Sequence, residues 1–347
     1  MRVLFVTRKY PPRLGGMESL SYGLTTGFPE PKTIIALGRS QKHLVWFLPY
    51  AFLRVAITAA RYDVIHLGDA VLSPLGLLPR ALFRRPIAVS VHGLDLTFPN
   101  PLYQAYLKLF LRAKVFIANS ESTRRLAEAR GLSPVRAITI GVPDSYFSIV
   151  RAPNLDPELE QKRAGRVVLL TVGRLVKRKG VAWFVRNVLP KLPNVLYLVI
   201  GVGPEREEIE RAAAETGTAQ RLWLAGKVSE ARLPAMLGAS DVFVMPNIEV
   251  AGDVEGFGIV AIEAAASGLP VVAARLEGIP DAIADGQNGT LIESGDVDGF
   301  VSAVTRLVDD APERTRQGER GRAYTQRQNA WPRIVARYSE LFSELLS

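Results

Sequence analysis

The chain has no cysteine and only three histidines among 347 residues. The first absence excludes disulfides, thiolate nucleophiles and cysteine-held metals; it fits a reducing compartment, the cytosol being the simpler reading, or selection against oxidisable residues. The second leaves histidine-rich metal sites poorly supported, so no metal is expected. Long apolar runs are also missing. The longest, "LVWFLPYAFLRVAITAA" (Leu44 to Ala60), contains Pro49 and Arg54 and is shorter than the ~20 residues that cross a bilayer. It is read as a buried helix, with a membrane-surface helix as the second reading. The N-terminal "MRVLFVTRKY" has too short an apolar run for a signal peptide and reads as a first strand. "GVGPE" begins a G-x-G-x-x-G string, but Arg206 stands where the third glycine belongs, so the nicotinamide oxidoreductase reading loses its main support.

What is present is apolar and unevenly charged. With 48% hydrophobic and 22% charged residues the chain can bury sizeable cores, and its length is about two domains' worth. Residues 1–150 hold 19 Lys/Arg against 8 Asp/Glu, a net of +11, whereas residues 151–347 hold 24 against 26, a net of −2. A basic first half is attracted to anionic lipid or other polyanions. No nucleic-acid-binding motif accompanies the charge, so nucleic acid is not expected. Solubility charge with no partner is the competing reading.

Short apolar runs alternate with helix-length segments. In the first half they are "RVLFVT", "KTIIAL", "DVIHL", "IAVSVHG", "VFIANS" and "AITIG"; in the second, "VVLLTVG", "LYLVIG", "LWLAG", "VFVMP", "PVVAA" and "GTLIE". Strands apolar throughout predict parallel sheets covered on both faces, and two such sets predict an α/β chain of two Rossmann-like domains. The polar, proline-bearing stretch 147–166 marks the break, giving domains 1–150 and 151–330, with a final helix over 331–347 expected to pack back on the first.

In such sheets ligands sit beyond the carboxyl ends of the strands. The first of these loops, "TRKYPPRLGGMESL", passes Gly15 and Gly16 before a helix, which suits phosphate, although a plain turn explains Gly-Gly as well. His92 ends a strand in "SVHGLD", where a neutral imidazole could meet a sugar hydroxyl or phosphate. In "TVGRLVKRKG", Gly173 frees the backbone, and Arg174 with Lys179 suits a diphosphate. "DVD" at Asp296 to Asp298 matches a metal-holding string, but a helix-start role is preferred. In "EGFGIVAIEAAASG", a helix from about Phe257 to Ser267 puts Glu255 at its entry and Glu263 two turns inside, ~12 Å apart along an axis. That is wide for a glycosidase pair and fits two grips on one long ligand.

Together these stretches resemble the retaining glycosyltransferases of family 4, the group 1 glycosyl transferases, over nearly the whole chain; the E-x7-E pair is the most specific match. The resemblance implies a GT-B architecture, two Rossmann-like domains facing each other across a donor-binding cleft. It implies transfer of a hexose from a UDP- or GDP-linked donor to a lipid-linked or saccharide acceptor, with retention, without metal or cofactor, in envelope or polysaccharide biosynthesis. Arg174 and Lys179 would hold the diphosphate, Glu263 the ribose, and Glu255 the transferred sugar, with His92 beside it. Gly15 and Gly16 would close on the phosphates, and Phe257, Gly258 and Ile259 would offer backbone N–H groups. The departing phosphate would take the acceptor's proton, so no nucleophile is assigned, Glu255 being the alternative.

Two positions depart from the family pattern: Ile140 replaces an asparagine in "IGVPD", and Glu277 replaces a glycine in "LEGIPD". The rivals are a nucleotide-sugar epimerase and a non-catalytic nucleotide-sugar-binding protein. The segments "LLPRALFRRP" and "NPLYQAYLKLFLRAKVF" are read first as buried helices with solvated edges; the second reading rests them on an anionic membrane bearing the acceptor, from a cytoplasmic position on the inner face of the plasma membrane.

Overall fold

A computed structural model describes residues 1–12, 15–38 and 40–347. Among the described residues, twelve strands form two parallel six-stranded sheets. The first sheet contains β1 (Val3–Thr7), β2 (Lys32–Ala36), β3 (Val64–Leu67), β4 (Ile87–Val91), β5 (Val115–Ala118) and β6 (Val135–Ala137), ordered β2-β1-β3-β4-β5-β6. The second contains β7 (Val167–Val172), β8 (Val195–Ile200), β9 (Leu222–Gly226), β10 (Val242–Met245), β11 (Val271–Arg275) and β12 (Thr290–Glu293), ordered β12-β11-β10-β7-β8-β9. Both orders reverse direction once, beside β1 and beside β7, and at such a switch point the loops leaving adjacent strands diverge and leave room for a ligand. The central strands are buried on both faces, as their unbroken Val, Ile and Leu runs require.

The chain divides into two compact units: residues 1–141 with 329–347, and residues 142–328. In the first, the final helix Trp331–Glu344 places Ile334, Val335, Tyr338, Leu341 and Phe342 against Val3, Phe5, Val64 and Ile117 on one face of the sheet. In the second, the stretch read as a break contains the helix Pro157–Arg163, whose cap Asp156 is clamped by Arg232 at 2.6 Å.

Two expectations change. "AITIG" contributes only Ala137 to a strand, because the ladder pairs Phe116–Ala118 with Val135–Ala137 and ends there. Beyond it the Ile140 carbonyl accepts from the Asn329 side chain at 3.1 Å instead of from a strand. The apolar stretch from Leu44 is a helix, Leu44–Thr58, but it is not a buried one: Phe47, Ala51 and Val55 enter the core while Val45, Trp46, Tyr50, Phe52, Leu53 and Ile57 are exposed. A helix apolar all round carries no phase by which the sequence could separate the two faces.

Candidate functional site

In the second unit the β7 loop is pressed against the loop leaving β10. Gly180 holds φ +66°, and a Cβ there would lie 1.8 Å from the Pro246 carbonyl oxygen, so only glycine allows this approach. The Ile248 N–H then reaches the Arg178 carbonyl at 2.9 Å. Two residues separated by 76 positions are thereby joined: Lys179 Nζ donates to Glu255 Oε2 at 2.5 Å, and Asn247 Nδ2 donates to the same oxygen at 3.1 Å. Arg178 Nε stands 3.5 Å from that oxygen, and its Nη1 pairs with Asp253 at 3.0 Å. Gly201 serves the neighbouring loop similarly, since a Cβ at its φ of +147° would lie 1.8 Å from the Gly173 carbonyl oxygen. The glycines of "GVGPE" are thus packing residues.

Glu255 is buried. Burial by itself would raise its carboxyl, but attraction and hydrogen bonding from Lys179, then Arg178 and Asn247, hold it below the ordinary range. Arg174, on the same loop as Lys179, is exposed and stands outside this cluster. The two cations that the sequence pairs therefore differ: one is neutralised by Glu255, the other faces solvent.

The helix Ile259–Ala266 begins at Gly258, which adopts φ +85°, and stops before Gly268. Phe257 and Gly258 are buried and Ile259 half-buried, so the backbone turn that leads into the helix is fixed by packing. Only the second half of the Glu255-to-Glu263 spacing is helical, so the rise per residue does not measure the separation of the two carboxylates. Glu263 meets the opposite environment from Glu255. Burial pushes its carboxyl up to about 8, and the Tyr146 hydroxyl, its hydrogen-bond partner, only partly opposes this. Tyr146 comes from the short helix Asp144–Phe147, packed on Ile259–Ala266.

Glu277 occupies φ +51°, a left-handed conformation natural to the glycine it replaces. Its carboxylate accepts the Glu255 N–H, and the Gly278 N–H returns to the Glu255 carbonyl at 3.2 Å. A side chain that reads as a departure from pattern thus braces the Glu255 loop. Arg178, Asn247 and Tyr146 escape the sequence reading because their contacts are made by folding and not by spacing, while Glu277 is legible there only as a departure from pattern, without its role.

In the first unit, Gly15 caps the helix Gly16–Gly27, with Glu18 in its first turn 3.5 Å from Lys9 Nζ. Arg13 and Leu14 of that loop lie outside the described residues. His92 is buried just past β4, and its Nε2 is 3.2 Å from the Gly68 carbonyl. A carbonyl only accepts, so this contact calls for the proton on Nε2. Nearby, Arg8 Nε lies 2.9 Å from Asp69 and its Nη2 3.6 Å from Asp95. Burial raises the Asp95 carboxyl, and one of its oxygens is buried without a hydrogen-bond partner. Arg8 and Asp69 add charge at the carboxyl ends of β1 and β3 that the sequence reading left unassigned.

Among the described residues no three histidine, aspartate or glutamate side chains converge as a metal site would require. Asp296 caps the helix Val297–Asp309 by accepting from the Gly299 N–H at 2.9 Å, and Asp298 pairs with Lys191 at 2.8 Å.

Comparison with known proteins follows the same two units. The model of the family described as "Glycosyltransferase Family 4" matches residues 1–146, and that described as "Glycosyl transferases group 1" matches residues 155–324. A GDP-mannose-dependent alpha-(1-6)-phosphatidylinositol monomannoside mannosyltransferase of Mycolicibacterium smegmatis is 31% identical over 98% of each chain. A lipopolysaccharide core biosynthesis glycosyltransferase of Rhizobium meliloti is 37% identical over 44% of this chain and 43% of its own. Among solved structures, HepE of Anabaena in complex with UDP superposes with a TM-score of 0.79 at 20% identity, covering 99% of this chain and 100% of its own. Sucrose-phosphate synthase of Thermosynechococcus elongatus gives 0.77 at 19%, covering 99% and 98%. At those identities the likeness concerns the fold, which is GT-B.

Proposed function

Because this chain belongs to the family 4 glycosyltransferases, we propose that it moves a hexose from a nucleoside diphosphate sugar to a hydroxyl of a lipid-linked or saccharide acceptor, with retention and without a metal. GDP-mannose is the first donor to test, since the Mycolicibacterium relative is GDP-mannose-dependent, and a phosphatidylinositol-type lipid is the first acceptor. The observation that carries the reading is the buried contact between Lys179 and Glu255, in which the diphosphate-side cation and the sugar-side carboxylate of the resemblance meet at 2.5 Å.

In this reading Arg174 and Lys179 stabilise the negative charge that grows on the departing diphosphate, helped by the positive end of the helix Ile259–Ala266 and the N–H groups around Phe257, Gly258 and Ile259. Preorganised charge at that point lowers the barrier without a metal. Glu255, kept ionised by its partners, accepts hydroxyls of the transferred sugar and faces the cationic character that develops at the anomeric carbon. Glu263 accepts the ribose hydroxyls, and His92 lies beside the transferred sugar. The acceptor's proton passes to the leaving phosphate.

Titration calorimetry with GDP, UDP and ADP, followed by assay of nucleoside diphosphate release from the preferred donor, tests this. A transferase releases the diphosphate slowly to water and faster with acceptor. An epimerase alters the donor without releasing it, and an inert binder does neither; either result refutes the proposal. Loss of transfer in EDTA refutes the metal-free mechanism.

A further inference from the structure

The helix Leu44–Thr58 presents an unusual outer face. At 100° per residue, Val45, Trp46, Pro49, Tyr50, Phe52, Leu53 and Ile57 fall on one continuous arc, and Phe47, Ala51 and Val55 on the opposite one. The second arc is seated in the core; the first is solvent-facing, with Trp46 77% and Ile57 64% exposed. The adjoining helix Leu77–Phe83 exposes Leu77, Leu82 and Phe83, and Arg85 ties the two together by donating to the Ala60 carbonyl at 2.8 Å. A contiguous apolar surface of this kind marks an interaction site.

The charge around it chooses the occupant. Residues 31–120 contain eleven Lys/Arg and three Asp/Glu. Of those acids Asp69 and Asp95 are buried near Arg8, and Asp63 accepts the Arg2 N–H at 2.7 Å. Lys42, Arg54, Arg61, Arg80 and Arg84 are exposed around the apolar arc. A second copy of the chain would bring the same cations against these, so self-association is opposed by like charge. An anionic bilayer satisfies both features, hydrocarbon for the arc and headgroup phosphate for its rim. Only when extended through the turn Ala59–Arg61 does the segment, Leu44–Arg61, reach the length and apolarity of a membrane span, and Phe47, Ala51, Val55 and Ala59 bind it to the core, so the helix lies along the surface instead of spanning.

We propose that the outer face of Leu44–Thr58 is the element that docks this protein on an anionic membrane. The arginine-bearing segment Leu77–Phe83 supports it, and the segment from Asn100 need not take part. Docking is independent of the transfer chemistry and is measured without donor or acceptor.

The test is sedimentation of the full chain with phosphatidylcholine vesicles with and without phosphatidylglycerol, at low and high salt. Wild type is expected to pellet with the anionic vesicles at low salt at least tenfold more than with the neutral ones. The double variant Trp46→Glu, Leu53→Glu, at two solvent-facing positions, is expected to lose at least tenfold of that binding while keeping its melting temperature and its nucleotide affinity. Trp46 fluorescence is expected to shift to the blue on binding. Absence of anionic-vesicle binding overturns the proposal, as does binding that the double variant retains. A concentration-dependent dimer in light scattering that disappears in the double variant overturns it in favour of self-association.

Discussion

Glu255 and Glu263 are the same side chain in two electrostatic states. Lys179 keeps the first ionised, whereas the second, facing only a tyrosine hydroxyl, is largely protonated at pH 7 in the ligand-free chain. Its folded value of about 8 exceeds the ordinary carboxyl range, so between roughly pH 4.5 and pH 8 the folded chain holds a proton that the unfolded chain releases. This residue's contribution therefore makes the fold less stable as pH rises through that window and is level above it. In thermal melts, Glu263→Gln is expected to flatten that decline. If ribose hydroxyls donate to the ionised carboxylate, the same variant weakens nucleoside diphosphate binding about 10- to 100-fold, on ~1.5–3 kcal/mol for a hydrogen bond to a charged group. Calorimetry at pH 7 and pH 8.5 checks this, with affinity rising with pH more in wild type than in the variant. Lys179→Met strips Glu255 of its closest cation; transfer is expected to fall at least 100-fold in steady-state assay. Stability should fall by about 3 kcal/mol in denaturant titration, the low end for a broken buried pair because Arg178 and Asn247 remain. Lys179, Glu255 and Glu263 were legible in the sequence through their spacing and loop position. Asn247 and Tyr146 were not, because contacts across 8 and 117 positions are made by folding and leave no periodic trace.

At the scale of elements, strand identity was the easiest property to read, since a strand buried on both faces must be apolar at every position. Phase was the hardest. The helix Leu44–Thr58 is apolar at buried and exposed positions alike, so its composition speaks for burial while its packing denies it. The loops obey a different constraint, close backbone approach. Gly180→Ala must accommodate both φ +66° and a carbonyl 1.8 Å from the new methyl carbon. We expect a loss of at least about 2 kcal/mol by chemical denaturation. Lys179 and Glu255 should part, with donor binding lost in calorimetry.

At the scale of the whole molecule, the chain leaves its first unit at Gly141 and re-enters it at Asn329. Truncation before Trp331 would remove Ile334, Tyr338 and Phe342 from beneath β1 and β3, each worth on the order of 1.5–3 kcal/mol of burial. Such a protein is expected to lose the cooperative melting of the first unit while the second, residues 142–328, still binds nucleotide, a separation that calorimetric scanning reads directly. The helical period of residues 334–345 made this closure readable, since an amphipathic segment after a complete sheet needs an apolar face to cover. That return also sets an order during translation. The usual expectation is that the amino-terminal part of a chain folds first as it leaves the ribosome. Here the contiguous second unit can close as soon as residue 328 has emerged, but the first must wait for residues 331–344, holding part of one sheet face uncovered while residues 142–328 are being made. Of the two units, the one whose sheet is synthesised first is the last able to finish folding, and it is the one a ribosome-associated chaperone would have to shield.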